Sequence, residues 1–532
     1  MFVFGIYLIM HAAHYVIKPL KYKKTGCVQK YALKLAAFTG SVTIEFTMFS
    51  LFKNQTQSRP TLPLYLHNNR SQTIEVFIPR TPEHVLLYSC GPTVYDYAHI
   101  GNLRAYVFTD TLKRALLYNH YQVEQTMNFT DFGHLTSDED SGEDKMMKGL
   151  RREGMDISLK AMRTLSDRYI DAFKADMTAL NILPPSTYAR ASDFVSEQIE
   201  LITAIVDAGH AYETADGLYF SVETYPDYGQ LGKIDLNAIR SSERMTANPD
   251  KRHPADFALW KKSDLGWDSA WGTGFPGWHI ECSAMAMSTL GEQIDIHTGG
   301  IDHINIHHNA EIAQCECVTH EPFARYWLHN EHLQIDGAKV SKSDGTMLTL
   351  RDLTHRGFAA TDFRYLLLQS HYRTQAQFSW EALTAAKQSL HRLKEQLFTD
   401  WNVSPEAVPK DWQQTLHNAI NDDLNTAKVI AQLHTASKDS SLSPGQKRAM
   451  FVEADSVLGL GFAVDPESGL EALGHIAILD LPEVVQALIE EREMARNMKN
   501  WPESDRLRDA IQKAGYNVTD TAAGPSITKK TF

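Results

Sequence analysis

The chain has 532 residues, 43% hydrophobic and 22% charged, which exceeds one compact core and excludes both a disordered and a fibrous protein. Its net charge of −13 supplies no general nucleic-acid affinity, so any phosphate partner must be met by local Lys and Arg. Five cysteines in this length make no disulfide framework and read as reduced thiols or metal ligands in a cytosolic setting.

Residues 1–60 differ from the rest. "MFVFGIYLIMHAAHYVI" is followed by "KPLKYKK", and the segment holds eight Lys or Arg against one acid, Glu45. Three readings stand: a membrane anchor somewhat short of a ~20-residue span, an organelle transit peptide, and an extension without function upstream of a start near Met48. The third is favoured, because globular patterning begins near Leu62. No stable membrane association is expected.

"HVLLYSC" reads as a short buried strand broken by Gly91 and Pro92, a periodic helix starts near Gly101, and "VEQTMNFT" reads as a second strand. Strand, helix, strand implies a parallel α/β sheet. Residues 140 to 260 read as charged and mostly helical, with a strand at "GLYFSVETY". The strand pattern returns at "IDIHTGG". Beyond Leu348 the chain reads as helical. "DWNVSPEAVPKDW" forms a connector, Pro482 sits in the first turn of a late helix, and Pro502 opens another that Gly515 ends.

Two stretches suit phosphate. "AHIGN" places His99, Gly101 and Asn102 where the first strand turns into a helix, whose free N–H groups and positive dipole end attract anions. "DGAKVSKSDG" carries Lys339 and Lys342 in a glycine-flanked loop able to stabilise charge on a leaving group. A third stretch, "GGIDHINIHHNAEIAQCEC", puts His307 and Glu311 four apart on one helical face, with Cys315 one turn on. By itself it reads as a metal site, a catalytic pair or a buried polar patch.

The two phosphate stretches, about 240 residues apart, resemble the paired motifs of class I aminoacyl-tRNA synthetases, His-Ile-Gly-His and Lys-Met-Ser-Lys-Ser. Here Asn102 replaces the second histidine and Val340 the methionine. Within that class the chain resembles the cysteinyl-tRNA synthetase family, which holds a zinc ion. The resemblance implies Cys90, Cys282 of "FPGWHIECSAM", His307 and Glu311 as ligands. Two thiolates, an imidazole and a carboxylate are ordinary zinc donors, and zinc takes a substrate thiolate far better than the hydroxyl of serine. Cys315 and Cys317 are read as packed thiols, His303 and His308 as neighbours of the metal or surface groups, and Cys27 has no role.

The resemblance further implies that Gly91, Thr130, Trp278 and Asp302 line the cysteine pocket. Gly300, with His99, Gly101, Asn102 and the two lysines, would face ATP. His99, Asn102, Lys339 and Lys342 would be catalytic. Past the lysine loop, "NDDLNTAKVIAQL" resembles an anticodon-binding region and the last segment a small C-terminal domain, where Arg506 and Arg508 are candidate tRNA contacts. The implied layout is a Rossmann-type catalytic domain at 61–350 with an insertion at about 150–265, a stem-contact segment at 351–395, an α-helical anticodon-binding bundle at 396–475 and a C-terminal domain at 476–532. The expected function is ATP-dependent activation of L-cysteine and its transfer to tRNA(Cys), with Zn2+ in the protein and Mg2+ on the ATP, by a monomer in the cytoplasm, or in an organelle if residues 1–60 are a transit peptide. The rival readings are a cysteine ligase acting on a small amine, as in the mycothiol pathway, and a non-catalytic RNA-binding relative.

Overall fold

The computed structural model describes residues 62–133, 144–234, 236, 250–335, 348–521 and 524–529, and the backbone of four further strands. Three of these, Val16–Pro19, Gln29–Ala37 and Gly40–Met48, pair antiparallel within a separate unit, Met1–Thr61. The fourth is Ala338–Lys339. Cys27, Ser341, Lys342 and Ser343 lie outside the described residues.

The second unit, Leu62–Phe532, is organised by a five-stranded sheet. Strand β1 (His84–Ser89) is followed by helix α1 (Ile100–Tyr118) and strand β2 (Gln122–Phe129), with β3 (Thr187–Arg190) beyond. Helix α2 (Trp278–Leu290) leads into β4 (Ile294–Gly300), and helix α3 (His307–Thr319) into β5 (Ala324–Asn330). The spatial order is β5-β4-β1-β2-β3 and every pairing is parallel. Strands in such a sheet are covered on both faces, which is why "IDIHTG" is buried along its length despite its Asp and His. The chain winds one way from β1 to β3 and the other way to β4 and β5. That reversal opens a crevice beyond the C-terminal ends of β1 and β4.

Residues 140 to 260 are less helical than their charge suggests. Helices Lys145–Arg152, Leu159–Ala179 and Val195–Asp207 are present, but Ala211–Glu213, Gly217–Phe220, Phe257–Trp267 and Gly274–Pro276 form a four-stranded antiparallel sheet. Its core is aromatic: Phe220 stacks on Phe257, and Trp260 is fully buried. Such side chains fit a pleated, covered surface better than a helix.

After β5 the chain adds β6 (Leu333–Ile335) and β7 (Ala338–Lys339). It then passes through α4 (Ala360–Leu368) to β8 (Ala376–Phe378), which pairs parallel to β6. Helices follow at Trp380–Phe398, Lys410–Asn421, Thr426–Lys438, Pro444–Leu458, Glu483–Asn497 and Trp501–Lys513. The chain beyond Leu348 is not wholly helical, because Tyr516–Thr521 and Gly524–Lys529 form a hairpin that covers Ile489 and Ile511. No helix among the described residues is long and apolar enough to cross a membrane.

The helical region is tied to α1 by buried charge. Arg364 of α4, fully buried, donates to Asp110 of α1, to the Leu458 carbonyl at 2.6 Å and to the Leu180 carbonyl at 3.0 Å. Asp110 also accepts from Arg114 at 2.8 Å and from the Leu183 amide at 2.8 Å. Removing one partner of such a network strands the other charges away from water. Asp110→Ala is therefore expected to destabilise the fold by about 3–5 kcal/mol, read as a lower denaturant midpoint. A loss below ~1 kcal/mol would show that the network contributes little.

Candidate functional site

The crevice at the sheet reversal is a cleft of about 300 Å³. One end is built from β1, α2 and α3. Cys90 follows the last residue of β1, with its amide bonded to the Thr298 carbonyl of β4 at 3.2 Å. The next residue must be glycine, since a Cβ on Gly91 would stand 1.7 Å from the Asn128 carbonyl oxygen. This close approach, with the Gly91 amide donating to Asn128 Oδ1 at 2.7 Å, turns Cys90 into the cleft. Helix α2 presents Trp278 and Cys282 four residues apart, and α3 presents His307 and Glu311 at the same spacing. The Trp278 ring stacks on His307 with centroids 4.3 Å apart.

Ligand atoms of Cys90, Cys282, His307 and Glu311 lie within 4.8 Å of one another. Two further groupings share Cys90, one with His303, His307 and His308 and one with His297, His308 and Glu311. Glu311 is fully buried. Its Oε2 lies 2.7 Å from His297 Nε2, while its Oε1 lies 3.0 Å from His307 Nε2 without a hydrogen bond. His307 Nδ1 in turn meets His279 Nδ1 at 2.8 Å. With the proton of that pair on His307 Nδ1, the lone pair of Nε2 is free to face the Glu311 oxygen and a cation between them.

The electrostatics agree. Burial opposes charge on all these groups. Even so, His297 and His307 bring Glu311 down to about 2. Burial lowers His307 too, but Glu311 and Cys90 overcome it and lift it to about 10. Burial raises Cys90, yet its hydrogen bond with Cys282 and the nearby His303 and His308 hold it well below the usual thiol range. The hydrogen bond to Cys90 and burial push Cys282 well above that range. Two anions beside His307 make a pocket that favours a positive charge, either the second proton on the ring or a cation that displaces it. The donors, two sulfurs, one ring nitrogen and one carboxylate oxygen, fit a zinc ion.

The other end of the cleft suits an anion. His99 is the N-cap of α1, and its Nδ1 accepts from the Asn102 amide at 3.2 Å. An accepting Nδ1 places the ring proton on Nε2. Burial depresses the His99 pKa to about 4, against the opposing pull of Asp302 and Asp96, so the ring is neutral at neutral pH. It can offer a neutral Nε2–H donor at the positive end of a helix. Gly101, Asn102, Gly300, Asp302 and His332 line this end as well.

Ten residues expected from the sequence thus share one cleft: Cys90, Gly91, His99, Gly101, Asn102, Trp278, Cys282, Gly300, Asp302 and His307. Glu311 lies behind His307. Thr130 is buried off the cleft wall and donates to Glu281 Oε2 at 2.7 Å. Lys339 is placed by its backbone in β7, paired with Gln334. Arg506 pairs with Glu503 at 2.7 Å, and Arg508 lies 3.6 Å from Asp520 and 3.8 Å from Asp505. Cys315 and Cys317 are buried free thiols and join none of the metal groupings. His303 and His308 lie inside the cluster rather than on the surface. Sequence reasoning missed His279, Glu281 and His297. All three are polar residues inside otherwise apolar or small-residue runs, a pattern that hints at buried polarity but names no partner; the fold buries them completely.

Residues 76–388 match the family described as tRNA synthetases class I (C) catalytic domain, and residues 479–524 match the cysteinyl-tRNA ligase anticodon binding domain. The chain is 43% identical over 470 residues to cysteine–tRNA ligase 1 of Burkholderia lata, covering 87% of this chain and 96% of that one. It is 42% identical to cysteine–tRNA ligase of Chlamydia caviae, covering 88% and 98%, and 40% identical to that of Treponema denticola, covering 88% and 100%. Among solved structures it resembles Mycobacterium tuberculosis methionyl-tRNA synthetase in complex with methionyl-adenylate. The TM-score is 0.53 at 15% identity, over 74% of this chain and 93% of that one, a likeness of fold alone.

The depressed His99 pKa fixes a pH dependence. The unfolded chain takes up the His99 proton near the ordinary histidine value of 6.5, and the folded chain only near 4, so stability present at pH 7 is lost as pH falls. The contribution is about 2 kcal/mol between pH 7 and 5. His99→Gln should make the pH dependence of denaturant stability shallower by about that amount; equal slopes would mean that His99 titrates normally.

Proposed function

The chain belongs to the cysteine–tRNA ligases, a class I synthetase family, and we propose that its cleft joins the two halves of their reaction, with the sulfur end at Cys90, Cys282, His307 and Glu311 and the nucleotide end at His99. One observation carries this reading. Two chemically opposite sites, one suited to a cation and one to an anion, share a single cleft at the sheet reversal.

In the first step a carboxylate oxygen of L-cysteine attacks the α-phosphorus of ATP, supplied as its magnesium complex, and the bond to the pyrophosphate oxygen breaks. The products are cysteinyl-adenylate and pyrophosphate. His99 would donate its Nε2–H to a phosphoryl oxygen, with Asn102 and the free amides of α1 beside it. Lys339 and Lys342 would neutralise charge on the departing phosphates. Gly300 leaves room for the nucleotide, and Asp302 would pair with the cysteine ammonium. In the second step a terminal ribose hydroxyl of the tRNA attacks the acyl carbon and AMP leaves.

A zinc ion held by Cys90, Cys282, His307 and Glu311 would supply thiolate recognition, distinguishing cysteine from serine. His279 would keep His307 in the required tautomer, and His297 would orient Glu311. Trp278 and Gly91 would bound the side-chain pocket, with Thr130 fixing Glu281 behind it. The C-terminal domain, Arg506 and Arg508 included, would meet the tRNA. The four cysteines among the described residues are free thiols, which suits the reducing cytoplasm, and both ends of the cleft are lined from one chain, which suits a monomer.

The purified chain given ATP, Mg2+, labelled cysteine and a tRNA pool should form cysteinyl-tRNA, with serine failing to substitute. Zinc stripping should abolish charging. Cys282→Ser should lower bound zinc and reduce kcat/KM for cysteine at least ~100-fold. Full activity in a metal-free, folded sample would refute the zinc assignment. Absence of cysteine-dependent pyrophosphate exchange would refute the ligase reading.

A further inference from the structure

Helix α1 does more than present His99. One turn further along, Arg104 is buried, with 3% of its surface exposed. Among the described residues no carboxylate accepts from it. Its Nη1 donates to the His332 carbonyl, and its Nη2 is shared among the carbonyls of His371 at 3.4 Å, Tyr372 at 3.3 Å and Thr374. Four residues on, the Phe108 ring stacks on Tyr372 at 4.5 Å. One face of α1 therefore grips the two segments that enter the paired strands β6 and β8.

Those segments lead to the nucleotide end of the cleft. His332 and Leu333, where β6 begins, line it. Gln334 and Ile335 pair with Lys339 and Ala338. The chain that returns at Leu348 and Thr349 is also tied to α1: the Ile100 amide donates to the Leu348 carbonyl at 2.8 Å, and His99 bridges Thr349. Residues on both sides of the lysine-bearing segment are thus referenced to the first two turns of one helix.

We propose that Arg104 is a positioning residue for adenylate formation: it sets the distance between His99 at the start of α1 and strand β6, entered at His332, on which the backbone of Lys339 pairs. The proposal rests on the ligase reading above. A flat guanidinium with a fork of donors suits four carbonyls converging from two segments, and lysine offers only a point charge. Three of these carbonyls have a second donor: the Ala376 amide bonds His332, the Glu331 amide bonds Tyr372 and the Thr374 amide bonds His371. The local fold therefore retains partners when Arg104 is removed, while the position of the strand loosens. None of the Arg104 contacts involves Cys90, Cys282, His307 or Glu311.

The test is cysteine-dependent pyrophosphate exchange by the native chain, Arg104→Met and Arg104→Lys, with KM for ATP and for cysteine, zinc content and Tm. Arg104→Met should lower kcat by about 10–100-fold, the effect of a misplacement near 1 Å, and raise KM for ATP. KM for cysteine and the zinc content should stay within about twofold of native, because the sulfur end is untouched. Arg104→Lys should recover part of kcat. A native kcat in folded Arg104→Met overturns the proposal, and so does a parallel loss of cysteine affinity, zinc and Tm, which marks a merely structural residue. If Arg104→Met does not fold, Arg104→Lys decides: about a 3–10-fold fall in kcat at unchanged cysteine KM supports the role, and native kcat overturns it. A native chain without exchange overturns the ligase reading itself.

Discussion

Everything in this molecule is organised by the adjacency of β1 and β4, two parallel strands whose chains depart in opposite directions. Parallel strands bring their C-terminal ends to the same edge of the sheet, and the opposed departures leave a crevice there that neither connection fills. Cys90 and the Gly299–Gly300 end of β4 meet at that edge, and the N-termini of α1, α2 and α3 converge on it. The contact of Gly91 with the Asn128 carbonyl shows how little slack the junction has. A side chain of any size there would push β1 from β2 and carry Cys90 away from Cys282.

The same edge concentrates buried polarity. His297, His307, His308, His329 and Glu311 are nearly or wholly inaccessible, a composition that would destabilise an ordinary core. Most of their polar atoms are matched with one another. His308 Nδ1 meets His329 Nε2 at 2.7 Å, and His329 continues to Asn69 at 3.1 Å. The unmatched atoms include Glu311 Oε1, on the metal-binding groups, and Glu281 Oε1. An unmatched carboxylate oxygen of Glu311 beside the sulfurs of Cys90 and Cys282 leaves donor capacity at the point where the metal-binding groups converge.

Helix α1 is the strut between chemistry and scaffold. Its first residues cap the anion end, its middle carries Arg104 and the Asp110–Arg364 pair, and Asn119 at its end bonds Asn421 of the helical region. A displacement of that region would therefore be felt at the cleft through one rigid element, because a helix transmits axial shifts with little internal compliance.

Periodicity and turn residues were enough to read β1, α1, β2, β4 and most later helices, because their apolar spacing is local. The grouping of Cys90 with "WHIEC" and "HHNAE" was legible through the family resemblance because each motif is short and contiguous. The antiparallel sheet of residues 211–276 and the C-terminal hairpin were not, since strand pairing is decided by partners distant in sequence. The encircling histidines were equally hidden. Nothing within "IDIHTGG" says that His297 meets Glu311, and nothing around Arg104 says that four carbonyls from two other segments converge on it. The sequence by itself determined which candidate groups the chain carries, because their chemistry resides in single side chains and their spacing in single turns. Tertiary structure alone decided which of them share a cleft, which partner sets each proton, and which buried charge holds the pieces in place, because those depend on distances between segments that the chain order does not encode.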